Sequence, residues 1–241
     1  MYMLFLSQKQ LSRLAIVLFL ALVAGVGLYG VLKGEETVTT MQVAPIYRGQ
    51  QQFQAVALTF NVDWGEEYLP GILDILSRNQ IKATFFLTGR WANKHPELTR
   101  RIFHEGHEIG NHGYSHPHAN KLGKGANQEE INRTERVILT LTGHQTRLYA
   151  PPYGENSPHV VNAAWELGYR TIMWTIDTVD WQPKTSAEDI KRRVLEKVQN
   201  GAIVLMHPKE TTVLALPEII KEMGQKGYEF MTVSEIVAGI D

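Results

Sequence analysis

The sequence predicts an α/β domain, a parallel sheet covered by helices, set behind an N-terminal transmembrane helix. Three observations carry this reading. Seven short apolar runs recur along the chain, and each is followed by a helix-like segment, the alternation that builds a parallel sheet. Polar segments rich in His, Asp and Asn follow these runs. Residues 14–32 carry no charge, and a helix of that length spans ~28 Å, close to the hydrocarbon thickness of a bilayer. The sheet either closes into a barrel or opens as a doubly wound layer. No Gly-rich phosphate loop follows the first strand, which argues against a dinucleotide fold.

The elements follow in order. Residues 1–13 form a short N-terminal segment whose Lys9 and Arg13 precede the apolar run, so this end stays in the cytoplasm. Residues 14–32 read as an uncleaved single-pass anchor, with the domain outside the cytoplasm. Secretion after signal cleavage near Ala21 and Ala24 is the alternative. Residues 33–52 read as a polar tether, and 53–241 as the globular domain. Ala55–Phe60 is a buried-type strand. Tyr68–Arg78 carries a helical stripe of Leu69, Ile72, Leu73, Ile75 and Leu76. Strands follow at 83–87, 107–110 and 147–150. Between them lie a helix over 96–105, begun by Pro96, and one over 127–142, capped by Asn127. A helix opens at Ser157-Pro158, and the fifth strand spans 170–176. Ser186-Ala-Glu-Asp189 caps the next helix. The sixth strand is 202–206, a helix covers 216–225, and a short seventh strand spans 228–231. Thr232-Val-Ser-Glu235 caps the last helix.

Composition narrows the function. A hydrophobic content of 44% supports a full core, and a net charge of -1 gives no support to a nucleic-acid partner. The absence of cysteine excludes thiolate catalysis, thiolate metal ligation and disulfides.

The polar segments after the strands carry the chemistry. In βα barrels, sites form at the carboxyl ends of the strands. His112 and His116 lie four apart in a twelve-residue stretch that holds four of the nine histidines. That spacing lets two imidazoles reach one ion, although a polar loop rich in His reads the same way. Asp63, after the first strand, adds a carboxylate. Two imidazoles and a carboxylate suit Zn²⁺, with Co²⁺ or Mn²⁺ also compatible. His207 follows the sixth strand and Asp180 the fifth, and a carboxylate bonded to a histidine orients it as a general acid. A backbone N–H at Tyr153-Gly154 is placed to stabilise an oxyanion. Tyr153 and Trp181 offer faces for a sugar ring.

These motifs resemble the polysaccharide deacetylases of carbohydrate esterase family four, over about residues 53–238. Gly106-His-Glu-Ile-Gly-Asn-His112-Gly-Tyr-Ser-His116 resembles the family's metal-histidine motif. Asp177-Thr-Val-Asp180-Trp181 resembles its Asp-x-x-Asp-Trp motif, and Leu205-Met-His207 its Leu-x-His motif. Pro151-Pro152-Tyr153-Gly154 resembles the end of its Arg-x-Pro-Tyr motif. The resemblance implies a distorted (β/α) barrel of about seven strands. It implies metal-dependent hydrolysis of N-acetyl groups from a cell-wall or chitin-like glycan, with Asp63, His112 and His116 as metal ligands and His207 as acid held by Asp180. Pro152, Tyr153, Trp181 and Leu205 fall at substrate-binding positions.

Two departures stand out. The family's Thr-Phe-Asp-Asp-Gly reads Thr59-Phe60-Asn61-Val62-Asp63-Trp64-Gly65, so Asn61 occupies the catalytic-base position. An amide accepts no proton at neutral pH. Asp63 serves as ligand if the loop carries one inserted residue, or as base in a looser site. The family's Arg falls at Ala150. Glu66, Glu67 and Glu155 are possible substitute bases. This first motif resembles a branch from endospore-forming bacteria that also has a membrane segment, and it predicts weak activity or a glycan-binding, morphogenetic role on the same scaffold.

Overall fold

The computed structural model describes residues 7–32 and 43–240, which fall in two units divided after Gln42. In the first, α1 (Gln8–Leu32) is a continuous helix. It begins ahead of the uncharged run and takes in Lys9 and Arg13. It is long and apolar enough to cross a membrane, with mean hydropathy 1.3 over Gln8–Gly25. Residues 33–42, the first half of the expected tether, lie outside the described residues.

The second unit is a curled parallel sheet wrapped by helices. Its strands are β1 (Ala55–Val62), β2 (Thr84–Leu87), β3 (Glu108–Asn111), β4 (Leu148–Tyr149), β5 (Arg170–Thr171), β6 (Ile176–Asp177), β7 (Ala202–Met206) and β8 (Glu229–Phe230). The order is β5-β4-β3-β2-β1-β7-β6, and β8 pairs the start of β1. The helices are α2 (Leu69–Arg78), α3 (Gly89–Lys94), α4 (Pro96–His104), α5 (Lys124–Thr142), α6 (Pro158–Glu166), α7 (Ala187–Lys197), α8 (Glu210–Gln225) and α9 (Val233–Ile236).

Alternation along β1 sets the two layers. Val56, Leu58, Phe60 and Val62 pack outward with the helices in the larger core. Ala55 and Ala57 face inward with Phe86, Leu148, Ala150, Ile172 and Ile203. Successive strand residues point to opposite faces, so the next inward positions up β1 are Thr59 and Asn61. Burying each large outward side chain contributes ~1.5–3 kcal/mol.

The fifth strand differs from the sequence reading. Residues 170–176 do not form one strand. β5 pairs β4, and β6 pairs β7, at opposite edges of the sheet. The intervening 172–175 spans the gap between the edges. Periodicity does not reveal this, because both ends are strand-like and only the pairing partner changes. Residues 43–52 pack beside the gap rather than hanging free. Ile46 N–H donates to the Thr171 carbonyl, and Met173 N–H donates to that of Ile46, both at 2.8 Å.

Local corrections have local causes. α5 begins at Lys124 after Gly123. Asn127 is buried inside it, and its Nδ2 donates to the carbonyls of Ala119, Leu122 and Gly123, tying down the preceding loop instead of capping the helix. α8 starts at Glu210, six residues before the expected helix, and carries Pro217 in its interior. The capping boxes at Ser186/Asp189 and Thr232/Glu235 form as read.

Candidate active site

The carboxyl ends of β1, β3, β4, β6 and β7 and the loops beyond them enclose a cleft of about 410 Å³. It is lined by Asn61, Asp63, Trp64, His112, His116, Tyr153, Gly154, Trp174, Asp177, Trp181, Leu205 and His207. Eight of the expected site residues meet here. Asp180 sits directly behind, fully buried. Pro152 is also buried but does not reach the cleft wall. The backbone reverses at Tyr153, with φ +58, and presents the next side chain instead.

Asp180 and His207 form one unit. Asp180 Oδ1 lies 2.8 Å from His207 Nδ1, and Oδ2 accepts the His207 backbone N–H at 2.6 Å and the Thr212 hydroxyl at 2.8 Å. A buried carboxylate with every bond filled fixes the imidazole tautomer and turns Nε2 to the cleft. Trp64 stacks on the same ring at 5.9 Å, with the planes 8° apart.

His112 and His116 face each other edge to face at 5.0 Å. His112 Nδ1–H donates to the Ala150 carbonyl at 2.6 Å, so Nε2 carries the lone pair. Burial pushes His112 down to about 3, and the neighbouring His116 adds to this. Burial also lowers His116, against the pull of Asp63. Both rings are therefore neutral at pH 7, the form that ligates metal. His116 holds a left-handed backbone with φ +56, and Glu130 anchors its loop through the N–H groups of Tyr114 and Ser115.

Asp63 is differently engaged. Thr88 Oγ1 and Arg90 Nε donate to Oδ1 at 2.8 and 2.7 Å, and a second Arg90 nitrogen pairs with Oδ2. Burial pushes the Asp63 carboxyl up, but the Arg90 and Thr88 bonds outweigh it and hold it below its ordinary value. Val62 lies in the outer core and Asp63 on the cleft wall. The two histidines fit a divalent ion; Asp63 does not while Arg90 holds both its oxygens. Among the described residues no three His, Asp or Glu side chains are placed to share an ion.

Asn61 is 7% exposed at the end of β1, and its amide makes no hydrogen bond among the described residues. Glu66 turns to His95, at 3.5 Å, and Glu155 to His118, at 2.8 Å. Neither these two nor Glu67 lines the cleft. Sequence reasoning passes over Arg90, Trp174 and Thr212 altogether. The one available signal for Arg90 is its place just after the second strand.

A family model described as polysaccharide deacetylase matches residues 48–172, just over half of the chain. The chain belongs to the polysaccharide deacetylase family. It is 40% identical over 209 residues to the uncharacterized protein YlxY of Bacillus subtilis, covering 87% of this chain and 65% of that one. The peptidoglycan-N-acetylglucosamine deacetylase of Bacillus cereus is 37% identical over 192 residues, covering 78% and 70%. Among solved structures, BA3943 of Bacillus anthracis, described as a CE4 family pseudoenzyme, superposes with a TM-score of 0.78 at 40% identity, over 80% of this chain and 69% of that one. A BA3943 mutant described as having restored enzymatic activity superposes equally well. The curled half-barrel seen here is that of a polysaccharide deacetylase.

Proposed function

We propose that the domain removes N-acetyl groups from a cell-wall glycan, peptidoglycan or a chitin-like polymer, at a rate limited by the missing base. The Asp180–His207 pair, facing His112 and His116 across one cleft, carries this reading. Water adds to the amide carbon and loses its proton to solvent, the C–N bond breaks to release acetate, and His207 Nε2 protonates the leaving amine while Asp180 keeps Nδ1 protonated and the ring aligned. Tyr153, Trp181 and Leu205 hold the sugar and its acetyl group, and the backbone N–H of Tyr153 receives the oxyanion, that of Gly154 being bonded to the Pro151 carbonyl at 3.1 Å. A divalent ion, Zn²⁺ or else Co²⁺ or Mn²⁺, would be held by His112 and His116, and by Asp63 once Arg90 lets go, and would polarise the amide carbonyl. Asn61 cannot accept a proton, so general-base assistance worth ~10²–10⁴-fold is absent. Helix α1 anchors the chain in the cell membrane with the domain outside the cytoplasm, beside its polymer; a secreted form after cleavage is the alternative. The Bacillus cereus relative, named a peptidoglycan deacetylase, supports this substrate class.

Asn61 and the Arg90–Asp63 pair favour a second reading, a glycan-binding protein on the same scaffold. The pseudoenzyme description of BA3943 supports it. Acetate release by the full chain from N-acetylated peptidoglycan and chitooligomers, with Zn²⁺, Co²⁺ or Mn²⁺ added, separates the two. Release that His207→Ala removes supports the enzyme. No release, with glycan binding that survives chelation, overturns it in favour of the binding protein.

A further inference from the structure

Three aspartates surround the cleft, and two have cationic or imidazole partners. Asp63 is held by Arg90, and Asp180 by His207. Asp177 is not. Its Oδ1 accepts the Val179 N–H at 2.7 Å, and among the described residues Oδ2 has no partner and no cationic side chain pairs with it. Asp177 stands inward on β6, in register with Leu205 on β7, and both line the cleft.

The loop after Asp177 is built to keep it there. Val179 holds φ +59, a conformation that β-branched residues rarely adopt. Thr185 Oγ1 donates to the Val179 carbonyl and Thr178 Oγ1 to that of Leu205, each at 2.8 Å, and they fix the turn. Such strain persists only where the surroundings impose it, and it gathers at functional sites. Here it lets two aspartates three residues apart serve different ends, Asp180 on His207 and Asp177 open to the cleft. Around it stand Trp64, Tyr153 and Trp181, at 41%, 59% and 51% exposure.

We propose that Asp177 anchors a subsite for a protonated aminosugar, so that the cleft takes glycan already carrying free amines. An ammonium gives the open oxygen of Asp177 a charge-assisted hydrogen bond, while the aromatic walls take the ring. A neutral acetamido group offers no such charge. This rests on the glycan reading above and narrows the glycan to a partly de-N-acetylated chain, in which a free glucosamine unit lies beside the acetylated unit that reacts.

Calorimetry on the detergent-solubilised full chain with chelator, using glucosamine and N-acetylglucosamine pentamers, tests this. Native protein is expected to bind the glucosamine pentamer at least tenfold tighter. Asp177→Asn, which keeps the acceptor for Val179 N–H, removes that preference and leaves the acetylated pentamer bound as before. An unchanged thermal midpoint in Asp177→Asn shows that the turn is intact. A native preference for the acetylated pentamer, or a glucosamine preference that survives in Asp177→Asn, overturns the proposal with the glycan reading intact. Binding of neither pentamer overturns both.

Discussion

Asp180 holds His207 twice, once through the ring at 2.8 Å and once through the backbone N–H at 2.6 Å. The same carboxylate therefore fixes where the residue sits and which way its imidazole points. Asp180→Asn keeps the shape but loses the charge that favours an imidazolium. We expect acetate release to fall by ~10²-fold, a general acid's usual contribution. Stability should drop by ~1–3 kcal/mol, as a buried bonding group loses its match. Steady-state kinetics with a urea titration checks both; unchanged activity would remove His207 from the proton path.

In the proposed metal site, Arg90 and the ion would compete for Asp63. Neutralising Arg90 as Arg90→Gln frees both carboxylate oxygens beside His112 and His116. Zn²⁺ affinity measured by equilibrium dialysis is expected to rise at least tenfold, which is ~1.4 kcal/mol. Asp63→Ala in the same background should reverse the gain. Equal affinity in native protein and Arg90→Gln would show that Asp63 is not a ligand.

Trp64 covers one face of His207. Its loop is pressed against the same segment, since a Cβ on Gly65 would meet the Pro208 carbonyl at 2.1 Å and the residue holds φ +83. Trp64→Ala bares the imidazole to water and loosens it. Turnover should fall ~10-fold with metal affinity unchanged, because a side chain that only positions a catalytic group contributes less than the group itself. Loss of metal in Trp64→Ala would instead mark the tryptophan as a support of the whole loop.

Away from the cleft, His107 sets an acid limit. Burial pushes it down to about 4 from 6.5, and its Nδ1 accepts the Ala83 N–H at 3.2 Å. The unfolded chain binds this proton first. The contribution is thus fully present above pH 6.5 and is lost as pH falls toward 4, by ~3 kcal/mol at 1.36 kcal/mol per unit. His107→Gln can keep the acceptor and does not titrate. Urea midpoints taken from pH 7 to pH 4 should fall less steeply for this variant than for the native chain.

Much of the fold was legible, and the gaps have physical reasons. The alternation of apolar runs and helical stripes gave the parallel order because burial dictates both periods. Residues 170–177 defeated it, since periodicity reports burial and not which neighbour a strand pairs with. Asn127 looked like a cap because Asn caps helices, but tertiary bonds to Ala119 and Leu122 claimed its amide. The convergence of Asp63, His112, His116 and His207 on one cleft followed from their places after strands. The Arg90–Asp63 pair did not, since the two lie 27 positions apart on neighbouring strand ends. Asp177 drew notice only as part of a motif, and its open oxygen is visible only once the partners of Asp63 and Asp180 are known.

On the proposed function, this cleft retains a deacetylase's acid and histidines and lacks its base. Asn61 lines the cleft at the position where the family resemblance puts the base, and its side-chain amide makes no hydrogen bond among the described residues. The most direct measurement is acetate release from N-acetylglucosamine oligomers by the native chain, by Asn61→Asp, and by Asn61→Asp with Ala150→Arg. A kcat/KM at least 10²-fold above native is expected in the double variant, a gain that His207→Ala abolishes. Equal rates in native and double variant, with all three proteins folded and metal-loaded, would contradict it.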